Sequence, residues 1–376
     1  MHLGGLDMAL TNIKLGDYIE RSTINNSDLK YGEEFIAGVN SKGVFAPPKG
    51  STLDVNLKPY KIVNNGAFVY NPTRLDVGSL AYRTEGLCIV SHLYMVFYLN
   101  EKGKKIIDPQ WLYIYFQRDE FRREVTFRNF GSQRPEFNFD DMSEILIPLP
   151  DIEIQRKYVK IYNAMIANQQ CYVRGLEDLK LTCDAYIEDL RRKMPSEKIG
   201  VYLRECNEKN EGNEVTLFQG INVDHVFTEP KRIAEDSENG SIVRKGQFAF
   251  NKVMKANRTK LPIALREGSD CVVSNSYQVF EITNTKKINP KYLLLWFNRE
   301  ETQRYAGFIS FGTTRDIFTF DDLREISIPL PSEKTQQDVV DIFTVYQKRS
   351  EINEKLKKQI KDICPILIRG SLEENK

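Results

Sequence analysis

The chain has 376 residues, enough for two or three domains of ordinary size. A hydrophobic fraction of 41% supports a sizeable core and excludes disordered or collagen-like chains. With 53 basic and 52 acidic side chains the net charge is only +1, so any surface for nucleic acid or membrane must be local or supplied partly by a partner.

The opening MHLGGLDMAL has no basic region followed by an apolar run, so no signal peptide is expected. Nor does any apolar stretch approach the roughly 18 residues of a membrane span. A short strand is predicted over 66–70, and strands over Leu87–Leu99 from β-branched and aromatic content. A proline-led helix follows over Pro109–Arg123. Phe139-Asp140-Asp141 offers a helix cap, and Glu144 to Pro150 reads as a strand closed by proline.

From 153 to 194 the period changes. Ile161, Met165, Tyr172, Leu176, Leu179, Cys183, Tyr186 and Leu190 recur at steps of three and four and define one helix stripe, which Pro195 ends. The second half repeats the order: strands over Cys271–Ile282, a helix over Pro290–Tyr305, and a helical tail from about Lys334 to Cys364. That tail carries the stripe Ile342, Val345, Ile352, Leu356, Ile360 and Ile363, with Pro365 expected to end or kink it.

This is an internal duplication. Phe139–Pro150 (FDDMSEILIPLP) and Phe320–Pro331 (FDDLREISIPLP) agree at nine of twelve positions, at an offset of 181. The offset also relates Pro109 to Pro290, Phe116 to Phe297, Gly131 to Gly312, Arg134 to Arg315 and Gln155 to Gln336. With slight drift, Gly66-x-Phe68-x-x-Asn71 answers Gly246-x-Phe248-x-x-Asn251, and Val90-Ser91-x-x-Tyr94 answers Val273-Ser274-x-x-Tyr277. A period this long excludes a solenoid. Each half is a domain followed by a long amphipathic helix. The simplest partner for each helix is the other, antiparallel; the alternatives are a tail folded back on its own domain and pairing between molecules. The fold class expected is therefore α+β, two similar mixed α/β domains separated by two long helices in an antiparallel coiled coil.

Enzyme signatures are missing. There is no phosphate loop, dinucleotide fingerprint or nucleophile elbow. Asn71-Pro72-Thr73 lacks the second proline and the aromatic of an amino-methyltransferase motif. The six cysteines form no C-x-x-C pair, and the three histidines stand far apart, so no metal site is expected. Duplicated elements without duplicated catalytic residues point to binding.

Charge is uneven along the chain. Arg244 to Arg266 holds seven basic residues and no acidic one, and its counterpart Lys58 to Arg83 holds four against Asp76. Arg118, Arg122, Arg123, Arg128 and Arg134 form a second basic stretch. Basic side chains neutralise phosphates, and Arg and Asn also read base edges. The DNA-contact candidates are Asn71, Arg74, Arg128, Arg134, Asn251, Lys252, Lys255, Arg258, Lys260 and Arg315, with Arg134 and Arg315 closing the same Gly-[Ser/Thr]-x-Arg turn. The helix-pairing and partner candidates are Ile161, Met165, Tyr172, Leu176, Leu179, Leu190, Ile342, Ile352, Leu356 and Ile360.

The chain resembles the specificity subunit of type I restriction–modification systems, in which two target-recognition domains alternate with two helical spacers. The resemblance runs from about 11 to 370 and rests on the domain–helix–domain–helix order. It also rests on the junctions Ile147-Pro148-Leu149-Pro150 with Gln155 and Ile328-Pro329-Leu330-Pro331 with Gln336. The family's Glu before that Gln is replaced by Ile154 and Thr335, and its second Pro by Asp151 and Ser332. The resemblance implies recognition domains over 1–150 and 196–331 and spacer helices over 151–195 and 332–376. It implies a cytoplasmic subunit with no catalysis or cofactor of its own, reading a bipartite duplex site. Its implied partners are two methyltransferase subunits using S-adenosylmethionine and two motor-nuclease subunits using ATP and Mg. The competing readings are a specificity component of a type II-like bifunctional enzyme and a twin-domain scaffold that does not bind DNA.

Overall fold

The computed structural model describes residues 11–48, 50, 52–53, 55–129, 136–230, 240–255, 259–310 and 316–375. The chain divides into two units, residues 1–173 with 352–376 and residues 174–351.

In the first unit, β1 (Thr11–Lys14), β2 (Ile19–Arg21), β3 (Phe68–Tyr70), β4 (Leu80–Tyr82) and β5 (Met95–Leu99) precede α1 (Pro109–Phe116), α2 (Asp119–Arg128), α3 (Phe139–Ser143) and β6 (Leu146–Leu149). The central antiparallel sheet has the order β2-β5-β3-β4, while β6 returns to pair with β1. The long helix α4 (Ile152–Lys193) follows.

The second unit repeats this plan with β7 (Ser196–Lys198), β8 (Leu203–Cys206), β9 (Phe248–Asn251), β10 (Ile263–Leu265), β11 (Tyr277–Ile282), α5 (Pro290–Asn298), α6 (Glu300–Ile309), α7 (Phe320–Arg324) and β12 (Ser327–Pro329). Its sheet runs β8-β11-β9-β10, and β12 pairs with β7. The last helix is α8 (Glu333–Glu374). The expected α+β duplication is borne out strand by strand.

The sequence pattern explains the repeated core. Gly66 and Gly246 adopt φ of +89° and +91°, conformations that side chains with a Cβ rarely take, and each turns the chain into its central strand. Two residues on, Phe68 stacks on Phe97 at 5.0 Å and meets Phe116 edge-on at 6.1 Å. Phe248 repeats this with Phe280 at 5.1 Å and Phe297 at 6.2 Å. These offset and edge geometries suit the ring quadrupoles. All six rings are buried.

The proline-led helix is shorter than expected in both halves. It breaks at Arg118, with ψ of 149°, and at Arg299, with ψ of 142°. Each arginine is extended so that its guanidinium covers a ring three residues back, Tyr115 at 3.8 Å and Trp296 at 5.2 Å. The caps before the Phe-Asp-Asp elements also differ from expectation. Asn138 and Thr319 are the caps, and Asp141 and Asp322 close capping boxes from the third helical position.

In the first unit, α4 and the end of α8 run antiparallel. Lys157 meets Glu374 at 2.6 Å, and twelve residues further along α4 Gln169 donates to Asn353 at 2.8 Å. Val159 and Tyr162 share the domain core with Ile360, Cys364, Leu367 and Ile368. In the second unit, Gly175 lies against Arg349, while Cys183, Ile187 and Leu190 share a core with Val339 and Val340. Met165, Tyr172, Leu176, Leu179, Ile342 and Leu356 are half-buried, and Leu190 and Ile360 are buried. Two seam candidates are displaced by one residue. Ile161 is 44% exposed beside buried Tyr162, and Ile352 is 39% exposed beside buried Asn353. One step of a helix rotates a side chain by about 100°, enough to leave the seam. Val345 is likewise exposed.

Pro365 neither ends α8 nor shortens it; the helix continues to Glu374. A mid-helix proline costs about 3 kcal/mol. Burying Leu367, Ile368 and Ser371 beyond it offsets that cost, and Trp111 Nε1 donates to Ser371 Oγ at 3.0 Å.

Candidate nucleic-acid interface

In each unit the edge formed by the strand ends, at one end of the sheet, brings together the turn after the central strand and the segment that leads into the Phe-Asp-Asp helix. In the first unit Phe137 N donates to Pro72 O at 3.0 Å. In the second, Phe318 N donates to Lys252 O at 2.8 Å, Met254 N to Asp316 O at 3.1 Å, and Lys252 N to Ser276 O at 3.1 Å. A hairpin then closes with Lys255 N to Lys260 O at 2.8 Å and the reverse bond at 3.1 Å.

Within this edge the candidates divide by what they touch. The Asn71 side chain accepts from Thr73 N and Thr73 Oγ1, and Asn251 from Val253 N; both shape the turn. Arg74 and Lys255 are exposed and Lys252 and Lys260 half-buried. None of these four cations enters a salt bridge among the described residues. Arg134, Arg258 and Arg315 lie outside the described residues. Their described neighbours Glu136, Thr259 and Asp316 border this same edge.

The acid-free run 244–266 is therefore not one open basic face. Arg244 binds Glu208 and, at 2.9 Å, Asp270, whose carboxyl is held below its ordinary range by that guanidinium. Arg266 is buried, donates to Ser269 O and Gln219 Oε1, and lies 5.1 Å over the Phe227 ring. Arg83 repeats this over Phe45 at 5.1 Å. Lys61 Nζ is held by Tyr94 O at 2.6 Å, and burial pulls its ammonium below the ordinary value.

The second basic stretch is neutralised along α2. Arg122 faces Asp119 at 3.6 Å, Arg123 faces Glu120 at 3.3 Å, and Arg128 grips Glu124 at 2.9 Å. A phosphate at Arg128 has to displace a carboxylate.

The junctions hold the same set of polar contacts in both halves. Gln155 is fully buried; its Nε2 donates to Ile106 O at 2.8 Å and Pro150 O at 2.7 Å, and its Oε1 accepts from Asp108 N at 2.8 Å. Gln336 does the same with Lys287 O, Pro331 O and Asn289 N at 2.9, 3.0 and 2.8 Å. Asp108 and Asn289 in turn cap α1 and α5. One amide thus ties the start of each long helix to the cap of a domain helix. The neighbouring Ile154 and Thr335 are only half-buried, which explains why the Gln recurs in both halves and its predecessor does not. At the second junction Ser332 caps the helix, its Oγ accepting from Thr335 N at 3.2 Å.

The sequence matches the type I restriction modification DNA specificity domain over residues 11–171 and again over 242–362, about three-quarters of the chain. The chain belongs to this family. A relative from Haemophilus influenzae, the type I restriction enzyme HindI specificity subunit, is 27% identical over 131 residues, 34% of this chain. That alignment spans 28% of the relative's length. The crystal structure of the type I restriction-modification system S subunit from M. genitalium shares the fold at a TM-score of 0.56 and 11% identity, covering 99% of this chain and 98% of that one. Each match to the specificity domain contains one sheet edge of the kind described above and one helix junction.

Among the described residues no group of three or more His, Cys, Asp or Glu side chains is placed to hold a metal ion. No disulfide joins the six cysteines, and burial raises the Cys183 and Cys271 thiols to about 11. No described helix is long and apolar enough to cross a membrane.

One pair of residues went unnoticed in the sequence. Phe127 on α2 and Phe308 on α6 are 80% and 78% exposed, at the same offset of 181. Their signal was identity across the repeat, obscured because phenylalanine ordinarily reads as core.

Proposed function

We propose that this chain is the non-catalytic DNA specificity subunit of a type I restriction–modification system. Residues 1–150 read one part of a bipartite duplex site and residues 196–331 the other. The spacer helices, 151–195 and 332–376, set the separation of the parts and dock methyltransferase subunits. The observation that carries this reading is the twofold match to a DNA specificity domain, with the same sheet edge and the same glutamine junction in each half.

The unpaired Arg74, Lys252, Lys255 and Lys260 make phosphate and base contacts at that edge, together with Arg134, Arg258 and Arg315. Two methyltransferase subunits supply S-adenosylmethionine-dependent adenine methylation, and two motor-nuclease subunits supply ATP- and Mg-dependent cleavage. The complex works in the cytoplasm. This chain holds no cofactor and transfers no group.

Methylome mapping of cells carrying the chain with its partners tests the reading. Exchanging only residues 197–331 for another recognition domain is expected to change one part of a split motif. A contiguous motif, or a change in both parts, would overturn it.

A further inference from the structure

Helices α2 and α6 each have ten residues in direct register at an offset of 181. Only three positions are identical: Glu120 with Glu301, Arg123 with Arg304, and Phe127 with Phe308. All six of these side chains are on the surface. The inward-facing positions have changed instead, Phe121 to Thr302 and Val125 to Ala306. This reverses the ordinary order, in which packing constrains buried residues most and single exposed phenylalanines have no reason to persist. Spacings of three and four set Glu, Arg and Phe on one helix face.

We propose that this face is a docking site, presented once in each half, for a protein subunit supplied in two copies. In the functional reading above that subunit is the methyltransferase, and the proposal rests on that reading. The chemistry selects protein over DNA. Glu120 pairs with Arg123 at 3.3 Å, Asp119 with Arg122 at 3.6 Å and Glu301 with Arg299 at 3.3 Å, so each face offers a phosphate backbone little free positive charge. An exposed aromatic beside an arginine, ringed by charge of both signs, is the composition of a protein contact centre. The partner must offer an apolar pocket for the phenyl ring, with a polar rim that accommodates the Arg and Glu side chains one and two turns before it. Because the same three residues serve both halves, the same partner surface meets both.

The test uses the full chain co-expressed with the methyltransferase subunit. Native mass spectrometry and titration compare the wild type with Phe127→Ala, Phe308→Ala, the double variant and Phe→Leu at each site. Each single alanine variant is expected to weaken one of the two bound copies by about tenfold or more, and the double variant both, with leucine retaining most of the affinity. Thermal melts should stay unchanged, since both rings are exposed. Two copies bound with unaltered affinity in the double variant would overturn the proposal. So would a uniform loss of duplex affinity with stoichiometry intact, which assigns the face to DNA, or loss of self-association of the chain alone, which assigns it to a second copy. If the wild-type chain captures no methyltransferase at all, the parent reading fails along with the proposal.

Discussion

Gln155 and Gln336 show how a single side chain joins two elements. Each satisfies three backbone groups in a site closed to water, and those groups have no other partner if the amide is lost. Replacing the glutamine by leucine keeps the volume and leaves a buried N–H and two carbonyls unpaired. The expected cost is about 1–3 kcal/mol for each group that water cannot reach, read as a lower urea midpoint, whereas Ile154→Ala should cost far less. His225 gives a pH test of the second unit. It is held at φ of +62° on the turn between the strands Gly220–Ile221 and Phe227–Thr228, its Nδ1 3.1 Å from Ile263 O. Burial lowers its pKa from 6.5, Lys260 adds to the effect, and the Ile263 carbonyl and Asp224 oppose it. A depressed folded pKa means the unfolded chain binds the proton more readily. The stabilisation from neutral His225 is therefore present above about pH 6.5 and lost as pH falls below it. His225→Gln should flatten the pH dependence of the melting temperature between pH 7 and 5; an unchanged slope would remove His225 as its source.

The long helices α4 and α8 owe their extent to what their ends bury. Propensity alone stops α8 near Pro365, but Leu367, Ile368 and Ser371 lie in the first domain's core and carry the helix through. Pro365→Ala restores a backbone donor toward Lys361 and is expected to stabilise the chain by up to about 3 kcal/mol, measured as a raised urea midpoint; a lower midpoint would show that the proline ring itself packs. The spacing of apolar residues made these helices legible, as the offset of 181 made the domain order legible. Their phase was less so, because Tyr162 and Asn353 take seam positions that hydrophobicity assigns to Ile161 and Ile352. A tyrosine buries a large ring whatever its hydroxyl does, and Asn353 is satisfied by Gln169 from the facing helix. The breaks at Arg118 and Arg299 were hidden for a related reason: a cation–π contact replaces a helical turn, and no local pattern marks it. Of the candidate interface, composition located the basic stretches but not which cations are already paired. Arg244, Arg266 and Arg128 are tied to partners distant in sequence or one helical turn away, and only the tertiary structure shows it.

For the molecule as a whole, a net charge of +1 places the burden of DNA attraction on a few unpaired cations. Most arginines of the described surface face a carboxylate, so few of them are free to meet a phosphate. Lys252, Lys255 and Lys260 lie within nine residues at one of the two sheet edges. Each phosphate contact contributes about 0.9 to the slope of log affinity against log salt. If all three lysines meet phosphate, replacing them with alanine should lower that slope by about 2.7 and weaken specific and non-specific duplexes alike. A lysine that reads a base edge behaves differently: its loss costs about 1–3 kcal/mol at one base pair and relaxes the motif there. Measuring the slope at several salt concentrations, with the proposed methyltransferase partner present, separates the two roles lysine by lysine. The same measurement on Phe308→Ala should leave the slope where it was, because that ring lies on a face with carboxylates and carries no counterions to release. A triple lysine variant with the wild-type slope would place the phosphate contacts elsewhere on the complex and reduce the Lys252–Lys260 hairpin to a framework element.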